Sequence, residues 1–530
     1  TVGAKETQFS LCLFFLSGSD STLFICNSFV IAKPLKTCII IRYIISYRMH
    51  ILYAQKGGSQ VVFSSLVFLF IFFPVTLFFY FIMKNDKAKN IILVVASLIF
   101  YSWGEPVWVC LLIFSSVLDY SVSLGIEKYR GKKITKLFVA LSVIINLGLL
   151  AAFKYSGFFV STLNGIFRLS LHVPTFSLPI GISFYTFQTM SYSLDVYKGE
   201  VKAQKSFINF LMFVSLFPQL IAGPIVRYSD IDTQIDHRTI TIDGFANGMT
   251  RFMAGLGKKV LIANYAGSLA ESLLKDVDNA AVLSVWIGVL FYAFQIYFDF
   301  SGYSDMAIGL GRMFGFDYPE NFKHPYIATS ITDFWRRWHI TLSSFFRDYV
   351  YIPLGGNRVS LPRQILNLFI VWGLTGLWHG ASWNFVIWGL YYFVFLCLEK
   401  FVLKKFFDKI PKVIRWMYSM FVVLIGWMIF YFEDFSAMKS AFSVAFGASG
   451  NSLTDPVMNA MIINNIPFII IAAIACAPVA KLVKAGIAKL KQRAPVTAPI
   501  FGTVFNVAML ILCVASLAGS TYNPFLYFRF

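Results

Sequence analysis

The sequence contains few charged side chains for its length. Of its 530 residues, 13% are charged, whereas 58% are hydrophobic and 18% are aromatic. A water-soluble globule of this size needs far more polar side chains to cover its surface. Segments of about ten residues with alternating polar and apolar side chains are also absent, which argues against a transmembrane β-barrel. The composition therefore predicts an integral membrane protein built from helices.

Several sequence motifs of soluble enzymes are missing as well. The chain has no P-loop, no serine nucleophile elbow, no dinucleotide fingerprint and no cluster of metal ligands. Its seven cysteines include no CxxC pair, and most lie inside apolar runs, so they are interpreted as small core residues. We expect no bound metal ion and no soluble catalytic domain. Any chemistry must take place within the membrane or beside it.

Apolar runs of a length that can cross a bilayer recur along nearly the whole chain. A helix needs about 20 residues to cross the hydrocarbon layer, and the runs predict about 11 or 12 transmembrane helices, with some re-entrant or interfacial helices. The net charge of +19 comes from basic residues clustered in short loops. Such loops indicate cytoplasmic orientation and not nucleic-acid binding. The predicted fold class is an all-α polytopic membrane protein.

The first 60 residues differ from the rest of the chain. They hold three of the cysteines, begin with Thr1, and end in a Gln-Lys-Gly-Gly linker. An additional span, a signal anchor and a mispredicted upstream start are all open, and the last is preferred. Residues 61–530 show no internal repeat and no linker that would divide them, so they are predicted to form one membrane domain.

His379 is a titratable side chain inside one of the most apolar segments. If Arg363 marks the cytoplasmic edge, a helix rise of about 1.5 Å per residue places His379 about 24 Å into the membrane. A hydrogen-bonded structural histidine is the alternative to a catalytic one. Gly376 and Gly380 leave space around the ring, as the close approach of a substrate would require. Imidazole titrates near neutral pH, so His379 is a candidate general base.

A second histidine, His339, lies in the segment Asp333-Phe-Trp-Arg-Arg-Trp-His-Ile-Thr-Leu-Ser. Read as one helix, this segment places its charged side chains on one face and its aromatic side chains with His339 on the neighbouring face. The pattern predicts an amphipathic helix at the cytoplasmic interface, where Trp and Arg also serve as anchors. Nearby carboxylates are expected to form ion pairs with arginines and to shape a tunnel mouth. The carboxylates are those of Asp299, Asp305 and Asp333, and the arginines are Arg336, Arg337, Arg347 and Arg358.

These segments together resemble a known family. Asp-Phe-Trp-Arg-Arg-Trp-His from 333, Phe-Arg-Asp-Tyr-Val-Tyr-Ile-Pro-Leu-Gly-Gly-Asn-Arg from 346 and Gly-Leu-Trp-His-Gly-Ala-Ser-Trp from 376 are similar to motifs of the membrane-bound O-acyltransferase (MBOAT) family. The chain most resembles its bacterial alginate O-acetyltransferase subfamily. Pro-Ile-Gly-Ile-Ser-Phe-Tyr-Thr-Phe-Gln from 179 and Phe-Pro-Gln-Leu-Ile-Ala-Gly-Pro from 217 support the likeness, which extends from about residue 62 to the C-terminus.

The resemblance implies a bundle of helices around a central tunnel and transfer of an acyl group, typically acetyl, from a cytoplasmic thioester donor to a hydroxyl outside the membrane. It implies that His379 is the catalytic residue and that His339 is a second important position. We expect His379 to take the hydroxyl proton, and His339 to orient the thioester or to donate a hydrogen bond to the oxyanion. The candidate substrate-binding residues are Trp335, Arg336, Arg337, Arg347, Arg358, Asp333, Asp299, Asp305, Trp378 and Asn384.

The arginines of this set could hold the phosphates of acetyl-CoA, the expected donor, because guanidinium groups match phosphate oxygens. The alternative is that they only set the cytoplasmic orientation of their loops. No tightly bound cofactor is expected. The resemblance also implies an exported polysaccharide acceptor, a periplasmic or extracellular SGNH-type acetyltransferase partner, and location in the bacterial cytoplasmic membrane. Two alternatives stay open. One is an acyltransferase that uses a carrier-protein thioester, as in D-alanyl transfer, and the other is a transporter or flippase.

Overall fold

The computed structural model describes residues 62–407, 409–479, 485–486, 497–519, 523 and 525–526. Within these ranges the regular structure is helical throughout, with no β-strand. The all-α prediction is therefore confirmed for the described part of the chain. The prediction for residues 1–60 lies outside the described residues.

The first half of the chain begins with a π-helical turn at Phe68–Phe72, and further π-helical turns at Ala151–Tyr155 and Lys258–Ala263 join consecutive α-helices. Because these turns do not stop the helical path, Ile134–Phe167 forms one long element. The α-helices of this half are α1 (Phe73–Ile82), α2 (Asp86–Gly104), α3 (Val109–Lys128), α4 (Ile134–Leu150), α5 (Ser156–Phe167), α6 (Ile182–Lys198), α7 (Phe207–Ser215), α8 (Phe217–Leu220), α9 (Tyr228–Asp236), α10 (Ile242–Gly257), α11 (Asn264–Leu274) and α12 (Val282–Met313).

The second half contains the segments singled out in the sequence. A 3-10 turn at Pro325–Ile327 and π-helical turns at Arg347–Tyr351 and Leu398–Leu403 connect its helices. The α-helices are α13 (Ile331–Trp335), α14 (Ile340–Phe346), α15 (Leu361–His379), α16 (Trp383–Cys397), α17 (Lys404–Phe407), α18 (Lys412–Tyr431), α19 (Phe435–Ala445), α20 (Pro456–Cys476) and α21 (Thr497–Gly519).

Seven helical elements of the described chain are long and apolar enough to cross a membrane. They are Val109–Lys128, Ile134–Phe167, Val282–Met313, Trp383–Phe407, Lys412–Tyr431, Pro456–Cys476 and Ile500–Gly519. The apolar segment Phe68–Ile82 is shorter. One segment that the sequence counts among its 11 or 12 spans is enclosed by protein: in α6, nearly every residue from 182 to 196 is buried. The chain is a multi-pass membrane protein.

The helix α12 is the central element of the described fold. It has 32 residues, and 72% of its most apolar stretch is buried. Its apolar side chains between residues 285 and 300 pack in one buried cluster, and those between residues 303 and 313 pack in a second. Glycines bring it close to α10: a Cβ added at Gly302 would lie 2.8 Å from the carbonyl oxygen of Gly255, and one at Gly309 would lie 2.6 Å from that of Gly248. These contacts leave no room for side chains between the helices.

A similar close contact joins α15 to α16. A Cβ at Gly376 would lie 2.4 Å from the carbonyl oxygen of Phe385, and a Cβ at Gly389 would lie 2.4 Å from that of Trp372. At Gly380, the added atom would overlap the ring of Phe385. The interpretation that these glycines leave space for a substrate is wrong, because α16 fills the space. The glycines instead fix the helix pair that carries His379.

Candidate functional site

His379 is the last residue of α15, as the apolar run ending at this position predicts. Its side chain is only 4% exposed. The ring centroid lies 5.0 Å from that of Trp378, 4.9 Å from that of Trp388 and 5.4 Å from that of Phe430, each in an edge contact. Among the described residues, its Nδ1 atom has no hydrogen-bond partner. The imidazole is therefore held by aromatic packing and keeps a free polar atom.

The C-terminal end of α15 receives hydrogen bonds from the Ile134–Phe167 element. The Nζ of Lys154 donates to the carbonyl oxygens of Trp378 at 2.6 Å and His379 at 3.3 Å, and the Tyr155 hydroxyl donates to that of Leu377 at 2.6 Å. The last carbonyls of a helix have no intrahelical donor, and a cation at this end is favourable. Sequence analysis missed Lys154, although a single lysine inside a long apolar run is an unusual residue that marks a candidate site.

A cavity of about 70 Å³ lies beside His379. Its wall combines His379, Trp378 and Lys154 with the loop of residues 178–181 that leads into α6 and with the first residues of α6. This loop contains the start of the Pro-Ile-Gly motif, and Gly181 adopts the left-handed backbone conformation with φ 75°. His379 is therefore shielded by protein and still borders a space that a small group could enter.

The segment that carries His339 is not a single helix. The α13 helix ends at Trp335, a turn follows, and α14 begins after His339, which has the left-handed value φ 45°. The prediction of one amphipathic helix over residues 333–343 is therefore wrong. A non-glycine residue with positive φ is uncommon and carries a conformational cost. Here the reversal directs His339 into the protein, where it is 1% exposed.

Polar contacts hold the His339 ring on one side. Its Nδ1 lies 3.0 Å from Oδ1 of Asn321, and Nε2 has no hydrogen-bond partner among the described residues. The ring also makes edge contacts with Phe300 at 4.7 Å and Trp378 at 5.8 Å between centroids. Asn321 was not predicted from the sequence, because nothing in its local sequence indicates that it pairs with a residue 18 positions later.

A second and larger cavity, of about 240 Å³, borders His339. Its lining includes Trp335, Arg336 and Arg347 together with apolar side chains of α15. Trp378 contacts both histidine rings and belongs to the wall of the first cavity. The two histidines thus border different cavities, and the indole of Trp378 contacts both rings.

The other predicted arginines differ in their ion-pair partners and in whether they line one of these cavities. Arg337 pairs with Asp333 at 2.8 Å, as expected, and neither residue lines either cavity. Arg347 pairs with Asp348 at 2.7 Å. Arg358 is exposed and lies outside both cavity walls. Of the four predicted arginines, Arg336 and Arg347 line one of these two cavities, and Arg337 and Arg358 line neither.

Two predicted carboxylates have other partners. Asp299 forms a buried ion pair with Lys259 at 2.5 Å, and Asp305 pairs with Lys258 at 2.6 Å and with Arg251 at 2.8 Å. The prediction that they pair with the arginines of residues 336–358 is wrong, because α10 and the turn after it supply nearer cations. Neither carboxylate lines a cavity at the histidines.

Asn384 lies at the start of α16 and is buried. Its Nδ2 donates to the carbonyl oxygen of Phe430 at 3.4 Å, and the ring of Phe430 packs against His379. Asn384 thus supports a wall of the His379 pocket and is absent from the lining of both cavities. Within the described ranges, no three His, Cys, Asp or Glu side chains lie close enough together to hold a metal ion.

Comparison with known proteins supplies an independent observation. Residues 11–441 match the family described as MBOAT, membrane-bound O-acyltransferase family. The chain is 38% identical over 506 residues to a probable alginate O-acetylase of Azotobacter vinelandii, covering 89% of this chain and 100% of that protein. A probable alginate O-acetylase of Pseudomonas aeruginosa is 44% identical over 379 residues, or 71% of this chain and 72% of the relative. A peptidoglycan O-acetyltransferase of Helicobacter pylori is 36% identical over 427 residues, 74% of this chain and 81% of the relative.

Proposed function

Since the chain belongs to the membrane-bound O-acyltransferase family, we propose that it transfers an acetyl group from cytoplasmic acetyl-CoA to hydroxyls of an exported polysaccharide. It is a multi-pass membrane enzyme of the O-acyltransferase class. The observation that carries the proposal is the pair of buried histidines that border two cavities and both contact Trp378. Two neighbouring cavities, each with a histidine, suit a reaction that brings two substrates together.

The His339 cavity is the proposed donor side. Arg336 lines it, is exposed, and forms no ion pair within the described part of the chain. A guanidinium that is free to bind can take a phosphate of coenzyme A with two hydrogen bonds. Arg347 supplies a second cation, partly neutralised by Asp348. Both belong to the basic segment of residues 336–363, which the charge distribution predicts to be cytoplasmic.

The His379 cavity is the proposed acceptor side. In the reaction, the acceptor oxygen attacks the thioester carbonyl carbon, a C–O bond forms and the C–S bond breaks. The imidazole of His379 takes the hydroxyl proton and returns it to the sulfur of coenzyme A, so that it acts as general base and then as general acid. Such catalysis contributes about two to four powers of ten in rate. Lys154 holds the backbone of His379 while this happens.

The names of the relatives suggest the acceptor. Two are described as probable alginate O-acetylases and one as a peptidoglycan O-acetyltransferase, and all three names concern O-acetylation of a cell-envelope or exported glycan. We therefore place this protein in a bacterial cytoplasmic membrane, with alginate or a similar glycan as the final acceptor. An SGNH-type partner, which the family resemblance implies, is proposed to receive the acetyl group outside the membrane.

Purified protein in lipid nanodiscs, supplied with acetyl-CoA labelled in the acetyl group, tests this function. The wild-type protein should release coenzyme A and pass the label to a hydroxyl acceptor. The His379→Ala variant should lose this transfer with unchanged expression and membrane insertion, whereas His172→Ala, at an exposed histidine, should retain it. Wild-type activity in the His379→Ala variant would remove His379 from the chemistry.

Two further measurements separate the alternatives. A donor preference for a carrier-protein thioester over acetyl-CoA would indicate transfer of the D-alanyl type. Solute flux into liposomes without thioester cleavage would indicate a transporter. In cells, deletion of the gene should remove acetyl esters from one envelope glycan, and analysis of alginate and peptidoglycan acetylation identifies which one.

A further inference from the structure

A chain of hydrogen bonds surrounds the Nδ1 side of His339. The backbone N–H of Ile225 donates to Oγ1 of Thr341 at 3.0 Å. The same hydroxyl lies 2.9 Å from Oδ1 of Asn321. The backbone N–H of Thr341 also points to this atom, at 3.4 Å. A backbone N–H can only donate, so the atom is the amide oxygen, and the hydroxyl donates its own proton to it. Oδ1 of Asn321 is therefore an acceptor for Thr341.

The orientation of the Asn321 amide follows from its other partner. Nδ2 of Asn321 lies 3.1 Å from the hydroxyl oxygen of Ser304 and donates to it. With Nδ2 on the Ser304 side and Oδ1 on the Thr341 side, the atom that faces Nδ1 of His339 is an oxygen, at 3.0 Å. An amide oxygen cannot donate, so Nδ1 of His339 carries the proton. In a neutral imidazole the other nitrogen, Nε2, then holds a lone pair.

That lone pair has no partner within the described residues. His339 is 1% exposed, and edge contacts from Phe300 and Trp378 restrict rotation of its ring. His339 itself borders the larger cavity, together with Arg336 and Arg347. A buried acceptor without a partner is costly unless a ligand supplies a donor.

We propose that Asn321 is a positioning residue that holds His339 as the Nδ1–H tautomer, so that Nε2 accepts a hydrogen bond from an N–H group of the thioester donor. The pantetheine arm next to the thioester carries amide N–H groups, in coenzyme A and in acyl carrier proteins alike. The sequence suggests two roles for His339, which are to orient the thioester or to donate a hydrogen bond to the oxyanion. The Nδ1–H tautomer fits the first role, because an Nε2 atom without a proton cannot donate to an oxyanion. The identity of the ligand rests on the proposed function, whereas the tautomer of His339 follows from the hydrogen bonds alone.

The tautomer can be measured without any activity. The protein contains six histidines, so ¹⁵N-histidine labelling and solid-state NMR give a resolvable set of ring signals. The His339 signals are assigned by their absence from a His339→Gln sample. We expect a protonated Nδ1 and an unprotonated Nε2. A protonated Nε2 in neutral His339 would overturn the proposal even if acetyl transfer is confirmed.

Two substitutions at Thr341 test how the tautomer is held. Thr341→Val removes the hydroxyl that orients the Asn321 amide, so we expect a mixture of both His339 tautomers and a loss of activity of about tenfold or more, as for other groups that orient a functional imidazole. Thr341→Ser restores the hydroxyl and should restore both the signals and the rate. Equal behaviour of the two variants would contradict a role for this hydrogen bond.

The pH dependence of acetyl transfer supplies a second test. The charged or titratable groups that line the cavity with His339 are Arg336, Arg347 and Tyr351, and His379 lies beyond Trp378. In Asn321→Asp, a carboxylate next to Nδ1 favours the imidazolium and raises the imidazole pKa by about one unit or more. Because Nε2 must be unprotonated to accept, the acid limb of the rate profile should move to higher pH.

A control variant distinguishes this effect from general destabilisation. Asn90 is a buried asparagine that bonds to Asn209 and to a backbone carbonyl, away from both cavities. Asn90→Asp should leave the acid limb at the wild-type position. If Asn321→Asp does not move the acid limb, or instead extends the alkaline limb to higher pH as an imidazolium donor would require, the proposal is wrong.

Discussion

The contact between α15 and α16 gives a sharp prediction for Gly376→Ala. The added methyl group would lie 2.4 Å from the carbonyl oxygen of Phe385, whereas ordinary contacts begin at 3.4 Å. The obstacle is backbone and not a flexible side chain, so the two helices must separate by about 1 Å or the chain must bend, at a cost of about 1–3 kcal/mol. Gly376 lies one helical turn before His379, and the displacement therefore reaches the ring.

A displacement of this size matters more for catalysis than for folding. Misplacing a catalytic group by about 1 Å can lower a rate about a hundredfold. We expect Gly376→Ala to reduce the rate of acetyl transfer by about this factor, with a smaller effect on the amount of folded protein. The measurement is release of coenzyme A by purified protein in nanodiscs, together with a thermal unfolding curve of the same sample.

Gly373 is a matched control on the same helix. A Cβ added at this position meets no atom within 4 Å. Gly373→Ala should retain the wild-type rate and should not lower stability, because alanine is a better helix former than glycine. A wild-type rate in Gly376→Ala would refute the reasoning that the close helix contact positions His379.

Two more predictions concern the residues around the histidines. Lys154→Met removes the hydrogen-bond donor to the last carbonyl groups of α15, so His379 is no longer held in position and kcat should fall about tenfold or more. The KM for acetyl-CoA should stay within about twofold, because the donor cavity is intact. An unchanged kcat would contradict this role of Lys154. Trp378→Ala removes the ring that contacts both histidines, so water should reach them more easily and hydrolysis of acetyl-CoA should rise relative to transfer to the acceptor. A wild-type ratio of acetate to acetyl ester would show that Trp378 does not keep water from the reaction.

Much of the fold could be predicted from local sequence. A helix from about Arg363 to His379 could be predicted from the apolar run between them, and α15 extends from Leu361 to His379. The break at His339 could not be predicted in this way. The pattern of residues 333–343 fits one helix, and the left-handed backbone at His339 is set by tertiary packing, which local periodicity does not report.

The site itself depends on contacts between distant residues. The network that includes Asn321, Ser304 and Thr341 joins three elements, and the amide of Asn321 has no local signature. Lys154 reaches carbonyl groups more than 220 positions away. The partner of Asp305 was predicted wrongly for a similar reason, since arginines near in sequence are farther in space than Arg251 on α10.

In the proposed reaction, an acetyl group passes from a thioester on one side of the membrane, past His379, to a hydroxyl on the other. Inside-out membrane vesicles expose the cytoplasmic face, so acetyl-CoA with a labelled acetyl group can be added outside and alkali-labile esters measured in the lumen. We predict labelled ester in the lumen of wild-type vesicles and none with His379→Ala. Equal lumenal ester in the two preparations, or label that never leaves the cytoplasmic side in the wild type, would contradict the claim.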